Sequence, residues 1–255
     1  MLKRTNDKKK KNKSTRSTTG ALFPLEASGI GLRADGKTLL DSISFKLTGD
    51  TKTVILGPNG AGKSLLLRLL NGLLTPTLGT LSWSGCATDD AFGDKFALVF
   101  QKPVLLRRSA EANIRFVLED LTTAERDERT NNLLRQAGLT QHAKTPARRL
   151  SGGEQQRLAI ARALATQPEV LFLDEPCASL DPSATKAIED LIETAHCAGT
   201  KIIMVTHDLG QAKRLGDDIL FLHGGKLMEH TKAEDFFPRP KTTPAQAFLA
   251  GEIVI

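Results

Sequence analysis

Val54-Ile55-Leu56-Gly57-Pro58-Asn59-Gly60-Ala61-Gly62-Lys63-Ser64-Leu65-Leu66-Leu67-Arg68-Leu69-Leu70 is the stretch on which the fold turns. A short apolar strand stops at Gly57, eight residues fit GxxxxGK[ST], and an apolar helical run continues to Gly72. That strand–turn–helix setting is what gives the motif its meaning. Glycines let successive backbone N–H groups turn inward round an anion without Cβ interference. The following helix adds the positive end of its dipole. Lys63 is then placed to meet the β- and γ-phosphates of a nucleotide, and the Ser64 hydroxyl to serve Mg²⁺. Gly57, Pro58, Asn59, Gly60, Ala61, Gly62, Lys63 and Ser64 are therefore the first candidate binding residues.

Outward from this loop, the apolar runs Phe96–Phe100, Val170–Leu173 and Ile202–Val205 read as strands covered on both faces, as in a parallel sheet. Leu39–Leu47 alternates Ile43, Phe45 and Leu47 with Ser42, Ser44 and Lys46, the pattern of a half-buried strand. Asp181-Pro182 starts a helix over Ser183–Ala195. Ile219–His223, Gly224-Gly225 and Lys226–His230 form a hairpin. The section from Gln101 to Gln167 is charged, holds helical patterns at Glu111–Glu119, Thr123–Ala137 and Glu154–Ala165, and reads as a helical insertion. Val170–Leu173 ends in two carboxylates, Asp174 and Glu175, at the edge where open α/β sheets bind ligands. Asp174 is placed to hold the Mg²⁺ shell and Glu175 to activate water.

The chain has 255 residues, 40% apolar and 25% charged, an ordinary globular composition with room for a large α/β domain. No run approaches the roughly 18–20 apolar residues of a membrane-spanning helix. Residues 1–20 carry eight basic residues and one acid, which leaves 27 basic and 28 acidic residues in the neutral body from 21 to 255. That Lys/Ser/Thr-rich segment cannot bury enough surface to fold and reads as a disordered basic tail. A hold on an anionic membrane face and nucleic-acid binding are its other readings. No apolar core follows Lys13, so no secretory signal is expected. Cys86, Cys177 and Cys197 stand far apart and read as reduced thiols.

Leu150-Ser151-Gly152-Gly153-Glu154-Gln155-Gln156-Arg157 resembles the signature sequence of ABC ATPases, and it sits in the helical insertion where that family carries it. In order along the chain, Gln101 matches the Q-loop, Ser179-Leu180-Asp181-Pro182 the D-loop, and His207 the switch histidine. The resemblance implies an α/β fold: a P-loop NTPase core with a mostly parallel sheet, an N-terminal antiparallel β subdomain, and an inserted helical subdomain at about 101–167. It implies an ATPase using ATP and Mg²⁺. Lys63 neutralises phosphate, Ser64, Gln101 and Asp174 serve the metal, Glu175 is the general base, and His207 positions water. It also implies a homodimer in which Ser151, Gly152, Gly153 and Glu154 of one subunit complete the other subunit's site, with Asp181 communicating between them.

Family members of this kind stack adenine on an aromatic residue of the first hairpin. Here that place falls on Ala34 or Asp35, and the chain has no tyrosine. No coiled coil, second ATPase unit or membrane helix accompanies the motifs, and little chain follows for a regulatory domain. The resemblance then points to the ATPase subunit of an importer, peripheral on the cytoplasmic face of the membrane, working with permease subunits and an extracytoplasmic binding protein. Lys102–Ile114, the segment expected to receive the permease, looks like that of oxyanion importers, most closely tungstate-type ATPases, so the resemblance implies uptake of a small oxyanion: tungstate first, with molybdate, phosphate and sulfate as the alternatives. The alternative is a soluble, non-transport ATPase switch with a nucleic-acid partner.

Overall fold

A computed structural model describes residues 22–87 and 94–252, so the basic segment 1–20 lies outside the described residues. The first two strands, β1 (Leu25–Ala34) and β2 (Lys37–Leu47), form a hairpin whose Asp35-Gly36 turn uses positive φ at both residues, 50° and 73°. With β4 (Leu78–Trp83) and β5 (Cys86–Ala87) they build an antiparallel sheet ordered β2-β1-β4-β5. Between these strands the chain enters the second sheet at β3 (Thr53–Leu56) and leaves it through α1 (Lys63–Leu70).

The second sheet joins β6 (Phe96–Val99), β7 (Val170–Asp174), β8 (Lys201–Thr206), β9 (Asp218–His223) and β10 (Lys226–Lys232) to β3, in the order β10-β9-β3-β8-β7-β6. All neighbours are parallel except the β9–β10 hairpin. Every residue of β3, β7 and β8 is buried, as their apolar runs require. β6 departs from that expectation: it is the edge strand, Phe96, Ala97 and Leu98 are only half-buried, and Phe100 is exposed. An apolar run fixes a strand's character but not its place in the sheet, and at the edge one flank opens into a groove.

The inserted section contains α2 (Ala110–Arg115), α3 (Thr123–Gln136) and α4 (Gly152–Ala165), and no strand. The helix expected over Glu111–Glu119 ends early, tightening into a 3₁₀ turn at Phe116–Leu118. The carbonyls of Leu118, Glu119 and Leu121 instead accept from the Arg126 guanidinium at 2.7–3.0 Å, which satisfies the chain as it turns into α3. After β7, α5 (Pro182–Cys197) returns to β8, and α6 (Leu209–Leu215) to β9; α7 (Ala233–Phe236) and α8 (Thr243–Leu249) follow the hairpin.

Two cores hold these layers. One lies between the two sheets and α1, where Trp83 packs against Phe96, Phe172 and Phe23 with ring centroids 4.7, 6.3 and 5.4 Å apart. The other joins the parallel sheet to α4, α5 and the inserted helices. Strand ends and loops at the C-terminal edge of β3, β6, β7 and β8 are thereby gathered on one side.

Candidate functional site

The loop Gly57–Gly62 runs from β3 to α1 with φ of +152° at Gly57, +80° at Gly60 and +96° at Gly62. A Cβ at Gly57 would lie 2.1 Å from the Leu222 carbonyl oxygen, and one at Gly62 would lie 2.5 Å from Leu40 Cδ2. Glycine is required here by space as well as by conformation. The hairpin turn presses on the same loop: Gly225 N–H donates to Ala61 O at 3.2 Å, and Gly225 O accepts from Asp41 N–H at 2.9 Å. Gly224-Gly225 thus braces the loop against β2, a role its reading as a simple turn did not reveal.

Lys63 opens α1 and is buried; its Nζ donates to Gly57 O at 2.8 Å and Pro58 O at 2.9 Å. Burial pulls its pKa down, while Glu175 and Asp174 pull the other way. Ser64 Oγ donates to Asp174 Oδ1 at 2.8 Å, joining the loop to the end of β7 across 110 positions of sequence. Burial raises the pKa of Asp174 against the Ser64 hydrogen bond and the cations Arg68 and Lys63.

The next residue, Glu175, is a non-glycine in the left-handed region at φ 47°, a conformation that costs about 1–3 kcal/mol and collects at functional sites. Its N–H donates to Val205 O at 3.0 Å. That anchor aims the carboxylate between two partners. Gln101 Nε2 donates to Glu175 Oε2 at 3.2 Å, and His207 Nδ1 lies 3.2 Å from Oε1. Gln101, expected beside Ser64 and Asp174 as a metal ligand, is found with its amide on Glu175. Gln156, buried in α4, donates from Nε2 to Phe100 O at 3.3 Å and so fixes the strand end from which Gln101 springs. A polar residue in a charged helix gave no warning of that contact.

Ser151 caps α4 in a reciprocal box with Glu154. Ser151 N–H and Oγ both donate to Glu154 Oε2, at 2.7 and 2.8 Å, and His142 Nε2 lies 3.3 Å from Oε1. Those bonds, the backbone one first, lower the Glu154 pKa. Gly153 presses on the start of α5, where a Cβ would fall 2.7 Å from Ala184 Cβ. Asp181 caps that helix, accepting from Ser183 N–H at 2.9 Å and Ala184 N–H at 3.0 Å. Among the described residues, no hydrogen bond or ion pair joins Ser151–Glu154 to Gly57–Ser64 of the same chain. At the first hairpin, Ala34 closes β1 and Asp35 stands in the exposed turn.

A phosphate loop, a strand-end carboxylate pair with an amide and an imidazole on its outer member, and a glycine turn at the start of α4 define an ATP-binding, ATP-hydrolysing domain. A family model described as ABC transporter matches residues 40–178, and the chain belongs to that family. It is 34% identical over 250 residues to the phosphate import ATP-binding protein PstB 2 of Natronomonas pharaonis, covering 90% of this chain and 87% of that one. It is 38% identical over 205 residues to the tungstate uptake system ATP-binding protein TupC of Peptoclostridium acidaminophilum, covering 79% and 94%. The solved structure of cbiO1 from Clostridium perfringens, part of an ABC transporter complex, superposes with a TM-score of 0.77 at 30% identity, over 84% of this chain and 90% of that one. The dimeric post-hydrolysis state of the cassette MJ0796, bound to ADP and phosphate, gives 0.74 at 27%, over 82% and 98%. These relatives are transporter components or cassettes, which gives the nucleic-acid alternative no support.

Proposed function

We propose that this chain is the ATP-hydrolysing subunit of an importer for a tetrahedral oxyanion, working as a homodimer beneath separate permease subunits. The observation that carries the docking half is the groove of about 210 Å³ between the edge strand β6 and the inserted helices. It is lined by Phe96, Phe100, Pro103, Val104, Val117 and Ala163, with Phe100 and Val104 exposed. Arg162 shapes its rim by donating to Val104 O at 2.7 Å. An apolar channel opening beside Gln101 suits an amphipathic permease segment and lets its movement reach Glu175 through one amide. The relatives named for phosphate and tungstate import support the oxyanion class, and the Lys102–Ile114 resemblance makes tungstate the first member to test.

Within the site the residues divide the work. Lys63 and the glycine loop bind and neutralise phosphate. Glu175 takes the proton from the attacking water, held in place by its Val205 anchor, and His207 and Gln101 orient that carboxylate and the water between them. Ser64 and Asp174 offer an oxygen-only donor pair that suits Mg²⁺, which prefers hard oxygen ligands and keeps several waters. When bound, the metal supplies charge neutralisation on the phosphates. Ser151–Glu154, unlinked to its own phosphate loop, serves the partner's nucleotide. Its helix N-terminus is a second anion cradle that closes the dimer, and loss of the γ-phosphate removes the reason to stay closed.

The test is purification of the chain from its native membranes with whatever assembles on it, followed by titration of the companion binding protein with tungstate, molybdate, sulfate and phosphate. A multi-span permease and submicromolar binding of one of these anions is the expected result. Recovery only from the soluble fraction, bound to nucleic acid, contradicts the proposal.

A further inference from the structure

An open cleft of about 560 Å³ separates α5 from α6, walled by Leu180 of the turn before α5, by Pro182, Glu189 and Glu193 of α5, and by Asp208 and Arg214. Among the described residues, one polar link spans it. Arg214 Nε and Nη2 donate to Glu189 Oε2 and Oε1 at 2.9 and 2.7 Å, a bidentate pair whose carboxylate is buried. The guanidinium also lies along the first turn of α6. A Cβ at Gly210 would meet Arg214 Nη1 and Asp208 Oδ1 at 3.1 Å each, so glycine leaves the space that the fork occupies.

Followed round, the contacts close a ring. Glu175 at the end of β7 leads into the turn whose Asp181 caps α5. Glu189 on α5 holds Arg214 on α6. Asp208 caps α6, accepting from Gln211 N–H at 2.9 Å, and His207 just before it returns to Glu175 at 3.2 Å. His207 is half exposed, and the helix behind it spans only Leu209–Leu215. So short a helix takes its position from tertiary contacts rather than from its own stability. A bidentate buried pair fixes direction as well as distance.

We propose that Glu189 and Arg214 are positioning residues. They set the angle of α6, and with it the place of His207 against Glu175, and they tie that place to the Asp181 turn. This rests on the roles given above to Glu175 and His207. Neither side chain bonds to the phosphate loop, so loosening the pair removes no contact of that loop but lets the histidine drift from the carboxylate. Misplacement of a catalytic group by about 1 Å costs up to about 100-fold in rate.

The test is steady-state ATP hydrolysis by the full chain and by Glu189→Gln, Arg214→Gln and the double variant, with thermal melts alongside. Glu189→Gln keeps the shape of the side chain and releases an arginine already half in solvent, so it folds. It decides the matter alone if Arg214→Gln, which strands a buried carboxylate, does not. Expected are a fall in kcat of at least about fivefold, a KM for ATP within about twofold, and a double variant no slower than the slower single. Arg214→Lys, with charge but no fork, falls between wild type and Arg214→Gln. A lowered melting temperature with unchanged kcat, a rise in KM alone, or effects that multiply in the double variant would overturn the proposal. Full turnover in Glu175→Gln would show instead that the underlying site assignment is wrong, whatever the pair does.

Discussion

Lys201 opens β8 with its side chain wholly buried, at the end of the sheet opposite the phosphate loop. Its Nζ donates to Thr51 O, and to Thr51 Oγ1 and Thr53 Oγ1 at 3.0 Å each, and faces the Phe23 ring at 5.8 Å. Burial pulls its pKa down to about 8, with Asp218, Asp50 and Asp217 resisting. In the unfolded chain a lysine titrates near 10.4. Between those values the unfolded state binds the extra proton, so stability rises with pH. The penalty of the buried ammonium is full below about pH 8 and gone above about pH 10.5; between pH 7 and pH 10 it shrinks by about 2.5 kcal/mol. Lys201→Met removes that penalty and also strands three acceptor oxygens, a loss that does not depend on pH. The thiol of Cys177, raised to about 11 by burial, acts in the opposite sense, and it cancels in the difference between variant and wild type. Urea denaturation of both proteins at pH 7, 8.5 and 10 measures that difference. Relative to wild type, the variant gains most at pH 7 and loses about 2.5 kcal/mol of that gain by pH 10. A difference that stays flat, or grows with pH, would refute the buried-ammonium reasoning.

Gly57→Ala places a methyl against the Leu222 carbonyl, 2.1 Å from its oxygen, and is expected to cost at least about 2 kcal/mol in a denaturant melt and most of the ATP affinity; a variant that binds ATP normally would contradict the loop geometry. Ser151→Arg loses a helix cap worth about 1 kcal/mol and fills the signature turn, so each monomer binds ATP while ATP-dependent dimers disappear from light scattering; unchanged dimers would contradict service in trans. With Ala34 and Asp35 where an aromatic platform is expected, GTP supports turnover nearly as well as ATP, and a preference for ATP of about tenfold or more, 1.4 kcal/mol, would mean that another group reads the base.

The strand–turn–helix motif was legible because its residue types answer a local demand: the space at Gly57 and Gly62, and the reach of Lys63, are set within one loop. Asp174 and Glu175 were legible for the same reason, as the end of a fully buried strand. Apolar runs look alike at the centre and the edge of a sheet, so Phe96–Phe100 predicts a doubly covered strand, and only the topology assigns Phe96–Leu98 to the groove side. The bond from the Gln101 amide nitrogen to Glu175 depends on where Gln156 pins the strand end, 56 positions away. Gly225 on the phosphate loop and Arg214 on Glu189 are of the same kind. Such long-range polar contacts leave no periodicity behind, so neither spacing nor composition could announce them.

The most direct measurement is the Glu175→Gln variant mixed with ATP and Mg²⁺, followed at once by hydrolysis and by mass in solution. Glutamine keeps the shape and the Val205 anchor but cannot take a proton. Expected are ATP binding at wild-type strength, turnover lower by about 100-fold or more, and accumulation of a closed dimer that forms only with ATP. Wild-type turnover, or a protein that stays monomeric with ATP bound, would contradict a Glu175 base acting in a nucleotide-closed dimer.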